Sequence, residues 1–166
     1  MNLQEAKNKF IQTWGALGSQ WGINKTMAQI HALLMVSDNP LSMEDIMEKL
    51  QISRGNASMN IRALIDWGIV YKEFKPGERR EFFVAEKNID ELAKKIAQER
   101  SKREIKPAIK VLKEVIAVES NQPEAESFKK QTKALYEFMS RTDAMIDKIT
   151  NQKENWITKS ILKLMR

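Results

Sequence analysis

The chain contains no cysteine and a single histidine, His31. A chain without cysteine has no disulfide framework, no thiolate nucleophile and no zinc site built on thiolates. His31 lies in an apolar stretch with Ile30 and Leu34, and no HExxH-like spacing surrounds it. We therefore expect His31 to be a partly buried structural residue, and we expect no catalytic residue, no metal site and no cofactor.

Glycine, proline and long apolar runs are also scarce. Only 6 glycines and 4 prolines occur in 166 residues, whereas 30% of the residues are charged, a balance that favours long helices with solvated faces. The hydrophobic fraction of 42% is enough for a folded core. No window approaches a membrane span, and the first residues lack the apolar core of a secretion signal. We expect a cytoplasmic protein with no membrane partner.

The formal net charge is +6. Excess positive charge favours encounters with polyanions such as nucleic acids. Many basic proteins never bind nucleic acid, so the position of the charge along the chain decides what it means.

Four stretches in the first half of the chain carry apolar residues at the three- and four-residue steps that predict helices. They cover residues 3–21, 25–37, 43–50 and 53–67. Ser42 and Ser53 are good N-caps for the third and fourth helices. Gly68 suits the position just after the end of the fourth.

Two runs of β-branched and aromatic residues follow Gly68 and flank the turn signal Pro76-Gly77. They predict a β-hairpin over residues 69–85. Three helices followed by a two-stranded wing make a winged helix-turn-helix, so the fold class is mainly α with a small hairpin wing. We expect three regions: an N-terminal helix of the dimer body at 1–24, the winged helix-turn-helix at 25–87, and a helical dimerisation region at 88–166.

The helix after the tight turn is the one that enters the DNA major groove in this fold. With Ala57, Ile61 and Leu64 placed inward, the predicted DNA-binding residues of this helix are Ser53, Arg54, Gly55, Asn56, Ser58, Met59, Asn60 and Arg62, with Asn60 near the boundary. Asparagine pairs with adenine, arginine with guanine or phosphate, and methionine packs on the thymine methyl group. An ordinary polar helix face is the alternative, but this helix has no acidic residue between Ser53 and Asp66.

The wing supplies three further predicted DNA contacts, Lys75, Arg79 and Arg80. Arginine at a wing tip lies along a phosphate or enters the minor groove. Because glutamates are interleaved with these cations, a merely solvated hairpin is the alternative.

Three segments of this region resemble the GbsR branch of the MarR-type regulators. They are Ser53–Arg62, Leu64–Val70 and Lys75–Phe82. The resemblance implies a homodimer that binds double-stranded DNA, usually as a repressor, and in some members release by a small ligand.

The branch is named for a repressor of glycine-betaine synthesis genes that responds to choline. The resemblance therefore implies a possible role in compatible-solute genes and a quaternary ammonium compound as a possible small-molecule effector. Candidate rings for a cation–π site are Trp14, Trp21, Trp67 and Tyr71. Trp14 and Trp21 share one apolar face, however, and such a stripe is more often core.

The last predicted helix carries a heptad-like seam. The predicted dimerisation residues on it are Phe128, Leu135, Met139, Ile146 and Ile149. The same face has an alternative partner within its own subunit, the helix that contains Ile109, Leu112 and Ile116. Amphipathic character continues through Trp156, Ile157, Ile161 and Leu164.

Sequence-specific DNA binding is thus the leading hypothesis. A winged-helix adaptor that binds proteins without DNA is the second. An enzyme is the third, and the sequence offers it no acid–base or nucleophile constellation.

Overall fold

This computed structural model describes residues 1–151, which contain seven α-helices, a π-helical turn and three short strands. In order, the elements are α1 Leu3–Gln20, α2 Lys25–Met35, β1 Leu41–Ser42, α3 Met43–Leu50, α4 Arg54–Asp66, β2 Val70–Glu73, β3 Phe82–Ala85, α5 Ile89–Arg100, a π-helical turn Ser101–Ile105, α6 Lys106–Ile116 and α7 Glu124–Thr150. The chain divides into two compact units, of which the first is Met1–Leu92 and the second begins at Ala93.

Helix α1 packs closely on α2 because two of its residues are buried glycines, Gly15 and Gly18. A Cβ atom at Gly18 would lie 2.5 Å from the Cβ of Ala28, and one at Gly15 would lie 2.5 Å from the Cγ of Gln29. Side chains at these positions would therefore separate the two helices. The helix predicted at the N-terminus belongs to the same compact unit as the winged helix, and its role in a dimer body stays a prediction.

Helices α3 and α4 form the helix-turn-helix, and each begins at the serine that the sequence predicts. Ser42 Oγ accepts from the N–H of Asp45 at 3.2 Å, and the Asp45 carboxylate accepts from the N–H of Ser42 at 2.8 Å. Ser53 Oγ accepts from the N–H of Asn56 at 3.3 Å. Between the helices Gln51 takes the left-handed conformation with φ 53°, which turns the chain sharply.

The core of this unit lies where α2 and α3 meet α4 and the sheet. Its most deeply buried apolar side chains are Ile30, Leu34, Ile46, Ile61, Leu64, Val70 and Phe83. This core fixes the orientation of α4, because its inward residues Ile61 and Leu64 are almost completely enclosed.

The wing is part of an antiparallel sheet with strand order β1-β3-β2. Strands β2 and β3 pair from Val70↔Ala85 to Glu73↔Phe82, and Leu41 pairs with Phe83. The predicted hairpin is confirmed, although its two strands are four residues each and the loop between them is longer than expected. Strand β1 was not predicted.

The second unit contains a continuous helical stretch that includes Pro107. The chain passes through the π-helical turn Ser101–Ile105, and the N–H of Lys106 donates to the carbonyl of Ser101. Pro107 then lies in the first turn of α6. The hydroxyl of Ser101 donates to the Asp143 carboxylate of α7.

The apolar residues Trp156, Ile157, Ile161 and Leu164 lie outside the described residues. None of the helices within residues 1–151 is both long and apolar enough to cross a membrane.

Candidate nucleic-acid interface

The outer face of α4 presents most of the side chains that the sequence predicted. Ser53, Arg54, Gly55, Met59 and Arg62 are exposed, and Asn56 and Ser58 are half-buried. Met59 is 61% exposed, which is high for a large apolar side chain in a folded domain. A shallow groove follows this face, lined by Gly55, Ser58, Met59, Arg62, Ala63 and Asp66.

Asn60 is the exception among the predicted contacts, since it is buried and only 3% exposed. Its Nδ2 donates to the carbonyl oxygen of Asn56 at 2.8 Å and to Asn56 Oδ1 at 2.7 Å. Buried amides need such partners. The sequence placed Asn60 near the boundary of the outer face; the structure places it behind that face, where it holds Asn56.

The cations of the wing lie on a short loop around Gly77, whose φ of 80° requires glycine. Lys75 Nζ lies 4.1 Å from the centroid of the Phe82 ring, and Arg80 Cζ lies 5.6 Å from it. Phe82 is buried, so its ring anchors both cations at the base of the loop. No sequence spacing signalled this contact. Arg79 is exposed beside them.

Carboxylates neutralise several of the cations on these two elements. Arg54 pairs with Glu44, Arg80 with Glu78 at 2.8 Å, and Lys72 with Glu81 at 2.6 Å. The pKa of Glu44 is lowered by the hydrogen bond from its own backbone N–H and by the guanidinium of Arg54. The structure shows no ion pair to Arg62 or Arg79 among residues 1–151.

The four rings predicted for a cation site lie on or directly after three elements, α1, α4 and β2. Trp14 stacks on Phe10 with centroids 5.6 Å apart and meets Trp21 edge-on at 6.3 Å. Trp67 follows the last residue of α4, and Tyr71, on β2, donates its hydroxyl to Glu86 at 2.8 Å. Trp14 and Trp21 are thus in contact with each other, and Trp21 is half exposed.

The residues of the predicted dimer seam differ in exposure along α7. Phe128 and Leu135 are exposed, whereas Met139, Ile146 and Ile149 are half-buried in the unit that α6 and α7 form. Two more large apolar side chains of α7 are exposed, Phe138 at 60% and Met145 at 62%. The steps of seven, three and seven residues from Phe128 through Leu135 and Phe138 to Met145 are a signal that sequence reasoning could have used.

Residues 21–81 match the family model described as the MarR family. Over 98% of its length the chain is also 22% identical to the HTH-type transcriptional repressor GbsR of Bacillus subtilis (strain 168), covering 92% of that protein. The chain is thus similar to MarR-type transcription regulators. The resemblance found in the sequence is thereby confirmed.

A solved structure described as a crystal structure of a transcriptional regulator has the same fold as this chain. The TM-score is 0.69 at 16% identity, and the match covers 87% of this chain and 95% of the other. The predicted fold class, mainly helical with a small winged sheet, is confirmed.

Proposed function

We propose that this regulator binds a specific DNA operator as a homodimer and represses the genes beside it. The observation that carries the proposal is the outer face of α4. It joins an exposed arginine at each end, Arg54 and Arg62, to Asn56 and an exposed Met59, with no acid before Asp66. A helix with this set can read adenine, guanine and the thymine methyl group in a major groove.

The wing would supply the contacts that position α4. Arg79 is exposed and Lys75 and Arg80 are anchored on Phe82, so all three can reach phosphates or a minor groove next to α4. Contacts of this kind fix register on the duplex, and the side chains of α4 then supply the sequence preference.

One winged helix buries too little surface for tight binding, so a dimer would place two α4 helices about 34 Å apart on one face of the duplex. The exposed apolar face of α7 is our candidate for the contact between subunits. It consists of Phe128, Leu135, Phe138 and Met145. Met139, Ile146 and Ile149 would instead stabilise the pairing of α6 with α7.

A regulatory role in compatible-solute genes, with a quaternary ammonium compound as effector, is the finer proposal. It is supported by the similarity to the Bacillus repressor and by the contact of Trp14 with the half-exposed Trp21. We also infer a cytoplasmic protein without enzymatic activity, since the chain is similar to a transcriptional repressor.

The test is a selection of bound duplexes from a random pool, followed by a gel shift on fragments from around the gene. We expect one enriched palindromic motif, and we expect Arg62→Ala to weaken binding while Arg141→Ala, an exposed change on α7, leaves it unaltered. If no duplex is bound even at low salt, the DNA-binding proposal fails and the adaptor hypothesis takes its place.

A further inference from the structure

Acidic side chains pair with the cations of α4 and the wing, the two elements that we propose bind DNA. DNA binding itself requires no acidic side chain. Glu44 is the most informative, because its partner Arg54 lies ten residues away on the next helix. The pair connects the first turn of α3 with the first residue of α4.

Both partners of this ion pair are open to solvent. The side chain of Arg54 is 66% exposed and that of Glu44 is 51% exposed. Exposed pairs of this kind are weak, so a phosphate can displace the carboxylate from the guanidinium. The pair therefore leaves Arg54 available to DNA but makes its use less favourable.

Glu44 also lies within electrostatic reach of the wing. The pKa of Glu44 is lowered chiefly by its own backbone N–H and by Arg54, and least by the charge of Arg80. Arg80 is likewise the smallest of the causes that lower the pKa of Asp45, and it is itself paired with Glu78. Glu44 therefore interacts with cations of both α4 and the wing.

We propose that Glu44 sets the overall DNA affinity, because its carboxylate competes with DNA phosphate for Arg54 and so weakens binding to duplexes of any sequence. The inference rests on the proposed function and deepens it. A neutralised arginine releases no counterion from DNA, and a carboxylate near the backbone repels phosphate. Both effects act on all sequences alike, so Glu44 changes the affinity for DNA and leaves discrimination between sequences to the contacts with base edges.

The experiment uses the full chain and a labelled duplex of random sequence, titrated at several salt concentrations. Glu44→Gln should bind this duplex up to about 5-fold more tightly at low salt, the range that an exposed charge pair allows. The dependence of log K on log salt should steepen by about 0.9, the value of one added phosphate contact. Glu48→Gln is the matched control, because it removes the same charge from an exposed position of the same helix.

A double-variant cycle separates competition for Arg54 from a general change in charge. In an Arg54→Gln background, Glu44→Gln should lose most of its gain in affinity. Circular dichroism melting of each variant checks that the domain is folded at the temperature of the binding assay.

Three results would overturn the inference: no gain for Glu44→Gln, an equal gain for Glu48→Gln, or an undiminished gain without Arg54. All three presuppose that the unaltered chain binds duplex DNA. If it binds none, the proposed function has failed; if it binds and Glu44→Gln gains nothing, only the role of Glu44 has failed.

Discussion

The side-chain amide of the buried Asn60 donates to two oxygens of Asn56, the carbonyl at 2.8 Å and Oδ1 at 2.7 Å. Asn56 is half-buried and is predicted to contact a base. Its side chain is thus oriented by Asn60, which is buried and cannot reach DNA. This restricts the rotamer of Asn56 before any duplex is bound, and a pre-oriented group binds with less loss of conformational entropy.

The Asn56–Asn60 pair predicts a shared effect on base discrimination. Asn56→Ala should reduce the preference for operator over random DNA by about 1–3 kcal/mol, the value of a bidentate base contact. Asn60→Ala should reduce the same preference, and the double variant should show less than the sum of the two effects. Competition between the selected operator and a random duplex measures this. An additive result, with Asn60→Ala altering only thermal stability, would assign Asn60 to the core alone.

Lys75 is the contrasting case on the wing, because we assign it to phosphate. Lys75→Ala should weaken operator and random DNA by similar factors and reduce the salt slope by about 0.9. A slope that is flat in the unaltered chain would mean that no phosphate is contacted at all. Lys9→Ala on α1, an exposed lysine far along the chain from the wing, is the control.

His31 makes the stability of the fold depend on pH. Burial, and secondarily the charge of Lys87, lower the pKa of His31 to about 4, and its Nε2 has no hydrogen-bond partner within residues 1–151. The unfolded chain takes up a proton near pH 6.5, whereas the folded chain stays neutral until about pH 4. Its contribution to stability is therefore complete above pH 6.5 and is lost as the pH falls toward 4, by about 3 kcal/mol in all.

Urea unfolding at several pH values between 4 and 7 tests the contribution of His31. His31→Leu should flatten the slope across this window, because no group at position 31 then titrates. An unchanged slope in the variant would mean that carboxylates, and not His31, set the acid sensitivity.

Lys87 closes the carboxyl end of α2 from a distant part of the chain. Its Nζ donates to the carbonyls of Leu34 at 2.8 Å, Met35 at 2.6 Å and Ser37 at 2.9 Å. Lys87→Met should destabilise the first unit by about 1–3 kcal/mol, since these carbonyls lose a charged donor. It should also raise the pKa of His31 toward its usual value, which narrows the pH window described above. Chemical denaturation and NMR titration of His31 measure the two effects, and Lys72→Met serves as the exposed control.

The exposed face of α7 predicts the behaviour of dimer variants. Leu135→Asp combined with Phe138→Asp should give a folded monomer with weak operator binding, because both side chains are exposed in the single chain. Ile146→Asp should instead lower the melting temperature of the second unit, since Ile146 is half-buried there. Sedimentation and thermal melting separate these outcomes. A double variant that remains a tight dimer would remove this face from the interface and make α1 the next candidate.

Local signals explain how much of the fold could be predicted. Ser42 and Ser53 cap their helices with their own side chains, so the boundaries of α3 and α4 follow from adjacent residues. Strand β1 has two residues, too few to show any alternation, and exists only because β3 pairs with it. The π-helical turn is held to α7 by the hydrogen bond of Ser101 with Asp143, which is far away in sequence.

The exposure of the candidate site residues could be predicted where it follows helical periodicity. The prediction failed where a polar residue occupies an inward position. Asn60 lies three residues after Ala57 and four before Leu64, and therefore faces the core, but its amide suggested an outward role. Which apolar residues of α7 are exposed could not be predicted either, because their exposure depends on contacts with α6 that are not visible in the spacing alone. The dimerisation residues stay a prediction.

The two buried glycines of α1 determine how closely this helix packs on α2. At Gly18 an added methyl group would meet the Cβ of Ala28, which cannot turn aside, whereas at Gly15 it would meet a flexible glutamine side chain. Alanine at position 15 should thus weaken the packing of α1 on α2 slightly, and alanine at position 18 should weaken it much more. Because neither glycine belongs to α4 or the wing, the attachment of α1 can be weakened in two steps without altering any atom that is expected to contact DNA.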